Sequence, residues 1–373
     1  MGRIRVLQIL DKISNGSGVC SVVMNYYNYI DKDKVIFDFM VNEPVPEKIK
    51  ATLEMQGSKI FIMPGLKNRN LFRYKKQLQK FFSEHKEYKI VHGHTPNAAA
   101  FYLTEAKKAG IKIRIIHSHN AIGSENLWKR FRNRILYKVA IKHANMYFTC
   151  GKKAAEYLYG KNFRKKYYIL NNAIDLDKYK FDDSIRSEIR KKLNLEDNFV
   201  IGNVGRFCKQ KNQKYSIGIL EEVMKVDENI KLLLIGDGKQ LDEVKLDAKR
   251  KNIADHVIFT GEVENVFDYL QAMDLFILPS LFEGLPVSCV EAQAMGLPCL
   301  ISDTVTREIA FNKNVEFVSI SDSPIKWRDQ ILRLKNINRE NAVNISSYNI
   351  KDKASELTKL YCELIEKNGK QEM

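Results

Sequence analysis

The sequence predicts an α/β protein built from two doubly wound, Rossmann-like domains that face each other across a cleft. Three observations lead there. Strand-like apolar runs alternate with helical ones throughout the chain, the pattern of parallel sheets with crossover helices. The length of 373 residues suits two domains at roughly 150 residues each. Each half also carries enough strand-like runs to form a sheet of its own.

The first half shows strand patterns near residues 4–10, 36–41, 60–63, 90–93, 113–117, 146–149 and 167–170. The opening run, Ile4 to Leu10, is stopped by Asp11 and lacks the longer apolar core of a signal peptide, so it reads as a strand. The second half shows strands near 199–205, 231–235, 257–260, 275–279 and 298–301. Between them the charged segment Asp175 to Asn198 has no strand signal and reads as the inter-domain connection. The expected domains are therefore 1–178 and 179–352. Leu357, Leu360, Tyr361 and Leu364 recur at helical spacing and predict a terminal amphipathic helix, about 353–373.

Composition narrows the class. Hydrophobic content of 45% and charged content of 28% are those of a globular protein. No apolar stretch approaches the ~18–20 residues needed to span a bilayer. The six cysteines form no CxxC pair and read as reduced, mostly buried thiols of a cytosolic protein. The net charge of +16 is uneven: residues 1–180 hold 34 Lys and Arg against 14 Asp and Glu, and the remainder holds 27 against 31. A basic first half points to an anionic partner, whether nucleic acid, an anionic membrane surface or a phosphorylated acceptor.

Ligands of doubly wound sheets bind beyond the carboxyl ends of the strands, which selects the residues that matter. After the strand ending near Leu278 come Glu283, Gly284, Leu285 and Pro286, then Glu291 eight residues after the first glutamate. The spacing puts Glu283 on a loop and Glu291 in the following helix, with Pro286 in the first turn and Gly296 and Pro298 as the stop. A helix N-terminus attracts anions, so a phosphate there would lie beside a carboxylate suited to hydroxyls, a combination that fits a sugar nucleotide. Gly205 and Arg206 end another strand, with Lys211 five residues on. The two cations can converge on one diphosphate, or be solvated surface charges. Gly236 and Gly238 flank Asp237 in a turn that admits a nucleotide or simply tightens a strand-to-helix connection. Gly16 and Gly18 follow the first strand as a weak candidate for a phosphate loop.

Two histidine pairs end strands, His92 with His94 and His117 with His119. Either pair suggests a metal, but no third ligand is evident, and satisfied structural imidazoles are the alternative. Asp31-Lys32-Asp33 and Asp175-Leu176-Asp177 match a DxD pattern superficially and read as turn or linker acids. Leu127 to Lys142 and Lys67 to Phe82 are basic and aromatic. Both suit an anionic membrane interface, or else core-facing aromatics with a solvated basic face.

Taken together, the series Gly205-Arg206, Lys211, Gly236-Asp237-Gly238 and Glu283-Gly284-Leu285-Pro286 with Glu291 resembles the retaining glycosyltransferases of the two-domain GT-B fold. The likeness is to family 4, which includes bacterial capsular and exopolysaccharide sugar transferases, and it is strongest from Val200 to Ser302. It implies that Arg206 and Lys211 bind the donor diphosphate, that Glu291 holds the ribose and that Glu283 contacts the transferred sugar. Gly284 and Leu285 would offer backbone N–H groups, His119 would lie near the donor sugar, and the terminal helix would cross back onto the first domain. The family's glycine pair stands here as Ser17-Gly18 after Gly16, and its usual Pro-Asn-Gly segment as Asn171-Asn172-Ala173.

The function expected is transfer of a hexose or N-acetylhexosamine from a nucleotide sugar, expected to be UDP-linked, to a lipid-linked saccharide acceptor in capsule or exopolysaccharide biosynthesis. The transfer would proceed with retention and without a metal or other cofactor. The protein would sit in the cytoplasm against the inner face of the cell membrane. A sugar-nucleotide epimerase of the same architecture and a basic nucleic-acid-binding protein are the alternatives.

Overall fold

The computed structural model describes residues 2–14, 17–63, 71–120, 126–339 and 345–369. The chain divides into two compact units. Unit 1 comprises residues 1–173 and 350–373, and unit 2 residues 174–349. The sequence placed these limits at 178 and 352.

Unit 1 holds seven strands: β1 (Ile4–Ile9), β2 (Val35–Val41), β3 (Ile60–Ile62), β4 (Ile90–Gly93), β5 (Ile113–Ser118), β6 (Met146–Thr149) and β7 (Tyr168–Ile169). They form one sheet in the order β3-β2-β1-β4-β5-β6-β7, and every pairing is parallel. The connecting helices are α1 (Gly18–Tyr29), α2 (Glu47–Met55), α3 (Leu71–Glu84), α4 (Pro96–Lys108), α5 (Leu127–His143) and α6 (Lys152–Tyr159). β2 is buried along its whole length, as expected of a strand covered on both faces. Its Asp38 is tolerable there because Arg5 grips it through two nitrogens, at 2.6 and 2.5 Å, and Tyr88 donates to it at 2.7 Å.

Unit 2 repeats the plan with six parallel strands: β8 (Phe199–Val204), β9 (Ile230–Ile235), β10 (Val257–Gly261), β11 (Leu275–Leu278), β12 (Cys299–Ser302) and β13 (Val315–Val318). Their order is β10-β9-β8-β11-β12-β13. Its helices are α7 (Asp183–Lys192), α8 (Gln213–Met224), α9 (Leu241–Arg250), α10 (Val266–Ala272), α11 (Val287–Ala294) and α12 (Pro324–Leu334). The core beneath α8 and α12 closes around Trp327, which is fully buried and donates its indole N–H to Ser319 O at 3.1 Å.

All twelve strands expected from sequence are present. The thirteenth, β13, escaped notice because it is four residues long, half exposed, at the edge of its sheet, and broken by Glu316. The segment expected as a plain connection contains α7, which belongs to unit 2. Arg186 and Arg190 of that helix reach Asp274 and, with Arg339, the carbonyls at the end of α10. Three cations at a helix C-terminus complement its dipole. Burial pushes the Arg339 guanidinium down to about 9.

The chain ends its described part in α13 (Ile350–Gly369), which returns to unit 1 and packs on α1. Tyr361 of α13 is fully buried and meets Phe37 edge-on, with ring centroids 6.2 Å apart. Thr358 accepts a hydrogen bond from the Asp31 backbone N–H at 3.3 Å.

Candidate active site

Each sheet reverses its winding beside its first strand, between β1 and β4 in unit 1 and between β8 and β11 in unit 2. These switch points, at the carboxyl ends of the strands, are where such sheets leave a crevice.

In unit 2 the loops after β8 and β11 are stitched together. Asn203 donates to Ile277 O at 2.8 Å, Leu281 N to Gln210 O at 2.8 Å, and Asn212 to Pro279 O at 3.2 Å. The β8 loop doubles back so far that a Cβ on Gly205 would lie 3.0 Å from Lys211 Cε. Lys211 Nζ then meets Glu283 Oε1 at 2.7 Å, with side chains only 17% and 8% exposed. Gln210 holds the same carboxylate at 3.2 Å through its other oxygen, Oε2, and also donates to Phe282 O at 3.0 Å. Glu283 is thus fixed on two sides. Gln210 was not singled out in the sequence, although it is the immediate neighbour of Lys211.

Glu291 lies on α11, as its spacing predicted. Pro286 is the N-cap of that helix rather than part of its first turn, and Gly296 ends it with φ 72°. Glu291 accepts a hydrogen bond from Tyr179 at 2.6 Å. Burial raises its carboxyl pKa, against the lowering effects of the Tyr179 hydrogen bond and the Lys211 charge. Lys211 therefore acts electrostatically on both glutamates. Tyr179 carried no signal in the sequence, because it lies in the stretch read as a connection.

Gly284 is partly buried, and Leu285 and Pro286 are buried, at the start of α11. Arg206 is exposed, and Lys211 is turned onto Glu283. Gly236 and Gly238 have a packing reason to be glycine. At φ +132° and +155°, a Cβ would sit 2.3 Å from Gly205 O and 2.4 Å from Phe207 O. The β9 loop thus lies directly on the β8 loop, tied by Phe207 N to Asp237 O at 2.9 Å.

In unit 1, Gly18 opens α1 behind the N-cap Ser17; Gly16 lies outside the described residues. The histidines form one buried tetrad. β4 and β5 are neighbours, and alternate residues of a strand share a face, so two HxH pairs at adjacent strand ends bring four imidazoles together. His94 Nδ1 lies 2.8 Å from His119 Nε2, and His94 Nε2 lies 2.8 Å from Gln8 Oε1. His92 Nε2 lies 3.1 Å from His117 Nδ1, and His92 Nδ1 lies 2.7 Å from the Tyr361 hydroxyl. Burial drives all four below the ordinary imidazole range, His92 and His119 to about 3.

Nitrogens of His92, His94 and His117 lie within 4.8 Å of one another, so the missing third ligand of the sequence does exist. Most of those nitrogens are committed to hydrogen bonds, leaving His117 Nε2 without a partner. The cavity beside them measures about 10 Å³, which has no room for a sugar. The DxD acids are engaged locally, Asp31 with Lys34 at 2.9 Å and Asp177 with Lys180 at 2.6 Å.

The two basic aromatic stretches behave differently. Tyr74, Leu78, Phe81 and Phe82 of α3 enter the core, Phe72 at its start stays exposed, and residues 67–70 are outside the described set. On α5, Leu127, Trp128, Phe131 and Ile135 are all at least half exposed, among Lys129, Arg130, Arg132 and Arg134. Among the described residues no helix is long and apolar enough to cross a membrane.

Two family models match, glycosyl transferases group 1 over residues 185–352 and glycosyltransferase family 4 over residues 39–178. The "Putative glycosyltransferase EpsF" of Bacillus subtilis (strain 168) is 30% identical over 88% of this chain and 87% of its own. This chain is a family 4 glycosyltransferase. Another relative is the UDP-Gal:alpha-D-GlcNAc-diphosphoundecaprenol alpha-1,3-galactosyltransferase of Escherichia coli, 23% identical over 94% of each chain. Among solved structures, Anabaena HepE in complex with UDP and glucose superposes with a TM-score of 0.76 over 99% of both chains, at 16% identity. That likeness shows the GT-B fold. These matches lend no support to the epimerase alternative.

Proposed function

We propose that this glycosyltransferase moves a hexose or N-acetylhexosamine from a UDP-sugar onto a lipid-linked saccharide in capsule or exopolysaccharide assembly, with retention and without a metal. One observation supports the donor site above the rest. A single half-buried lysine, Lys211, acts on two glutamates at the switch point of unit 2, Glu283 on the β11 loop and Glu291 on α11. In this reading Glu291 accepts the ribose hydroxyls and Glu283, held by Lys211 and Gln210, accepts a sugar hydroxyl. Arg206, Lys211 and the Gly284-Leu285-Pro286 turn stabilise the charge that develops on the departing diphosphate. Gly205, Gly236 and Gly238 keep the backbone close-packed around it. The anomeric bond to phosphate breaks, and the acceptor oxygen bonds the same carbon from the same face. The acceptor's proton passes to the leaving phosphate, so no protein nucleophile is needed. His119 contacts the transferred sugar, and Gly18 belongs to the donor-binding residues.

The acceptor class is supported by the E. coli relative, whose name specifies a diphosphoundecaprenol-linked acceptor. The exposed apolar and basic face of α5 suits the anionic inner surface of the cell membrane, where such an acceptor resides.

The test is a thermal-shift and calorimetric screen against UDP, GDP, ADP and their sugar conjugates, with and without EDTA. UDP-selective stabilisation that EDTA leaves intact is expected. Indifference to every nucleotide would remove the donor site, and loss of binding with EDTA would remove the metal-independent reading.

A further inference from the structure

The proton order of the unit 1 tetrad can be read from its acceptors. Gln8 Oε1 only accepts, so His94, 2.8 Å away, carries its proton on Nε2. Burial keeps His94 neutral, so its Nδ1 is bare. Its partner there, His119 Nε2 at 2.8 Å, must then donate. His119 is neutral too, so its proton is spent on His94 and its Nδ1 is a bare acceptor. No described residue hydrogen-bonds that Nδ1, and His119 keeps 8% of its surface exposed.

We propose that Gln8 and His94 are positioning residues that lock His119 in the tautomer protonated on Nε2, so that it meets the donor sugar through Nδ1 as an acceptor for a sugar hydroxyl. The sugar contact rests on the function proposed above; the lock does not. The consequence is chemical. A locked, neutral His119 selects a sugar with a hydroxyl at the position it faces. It supplies neither a positive charge nor a proton to the departing phosphate. A donor sugar lacking that hydroxyl, or carrying it as a methyl ether, leaves Nδ1 unpaired, and discrimination against an analogue missing a hydrogen-bonding group is steep.

Nitrogen-15 NMR of the histidine-labelled full-length protein reads the tautomer directly, with His119→Gln assigning the signal. The expected signature at pH 7.5 is a protonated Nε2 and a bare Nδ1. Gln8→Met keeps the length of the side chain and removes the acceptor. It should shift His119 toward the Nδ1-protonated tautomer and lower turnover at least about tenfold, while leaving the Kd for UDP alone within about twofold. A wild-type His119 protonated on Nδ1 overturns the proposal without recourse to any variant. So does a Gln8→Met protein whose tautomer and turnover both match wild type. If wild type binds no UDP-sugar, the functional reading and the sugar contact fail together, and the NMR spectrum still decides the lock.

Discussion

Units 1 and 2 share one topology and solve the problem of polar groups at a switch point in opposite ways. Unit 1 gathers four imidazoles that are held neutral in two hydrogen-bonded chains, Gln8 through His94 to His119 and Tyr361 through His92 to His117. Unit 2 gathers formal charges, with Lys211 acting on Glu283 and Glu291. A neutral relay costs little to bury and fixes orientation. A charged cluster is costly to bury unless paired, and it has a field to offer an anionic ligand. The same fold thus provides one unit suited to orienting and another suited to binding charge.

Acid should separate the two most strongly. The four histidines of unit 1 have folded pKa values below that of a free imidazole, so as pH falls the unfolded chain takes up protons first. Their stabilising effect is complete above about pH 6.5 and is lost as pH falls toward the folded values. The loss is about 1–2 kcal/mol per histidine by pH 5. Unit 2 has a single histidine, His256. Hydrogen exchange at pH 7 and pH 5, corrected for intrinsic rates, should show unit 1 opening first; equal protection in both units would break the contrast.

Next in size is Gly236→Ala. Its Cβ would collide with Gly205 O at a strained φ, which should cost about 3 kcal/mol in a urea titration. An unchanged midpoint would mean that the β8 and β9 loops are not packed as described. Lys211→Ala should lower turnover by ~10²-fold if its charge stabilises the leaving diphosphate. Normal turnover would leave the lysine as a mere partner of Glu283. Neutralising Lys129, Arg130, Arg132 and Arg134 should reduce binding to anionic vesicles by roughly 1 kcal/mol per charge near the surface, and full retention would make α5 ordinary surface. The smallest change is expected from Tyr179→Phe. Losing one hydrogen bond to Glu291 should alter UDP affinity by only a few-fold, read by calorimetry; a hundredfold loss would promote Tyr179 to a ligand contact.

Much of this was legible in the sequence. Period and punctuation gave the strands, and Glu283 and Glu291 were placed correctly on loop and helix by spacing alone. What stayed hidden depended on contacts between distant segments. Tyr179 and Glu291 are far apart in sequence, as are His92 and Tyr361, and no local pattern announces either pair. The tetrad was half visible: both HxH pairs were noticed, but only the adjacency of β4 and β5 joins them. The aromatic residues of α3 and α5 look alike in sequence, and only packing sends Tyr74, Phe81 and Phe82 inward while Phe72, Trp128 and Phe131 stay exposed.

The return of α13 has a consequence for how the protein is made. Unit 2 is contiguous in the chain and contains its own sheet, so it can fold while the ribosome is still at work. Unit 1 begins first yet finishes last, because Tyr361 and its neighbours on α13 close a core whose strands emerged hundreds of residues earlier. Until that helix clears the exit tunnel, the surface of α1 and the ring of Phe37 are waiting for a cover. A nascent chain stalled upstream of Ile350 would therefore present a finished second unit and an open first one, the form that chaperones recognise.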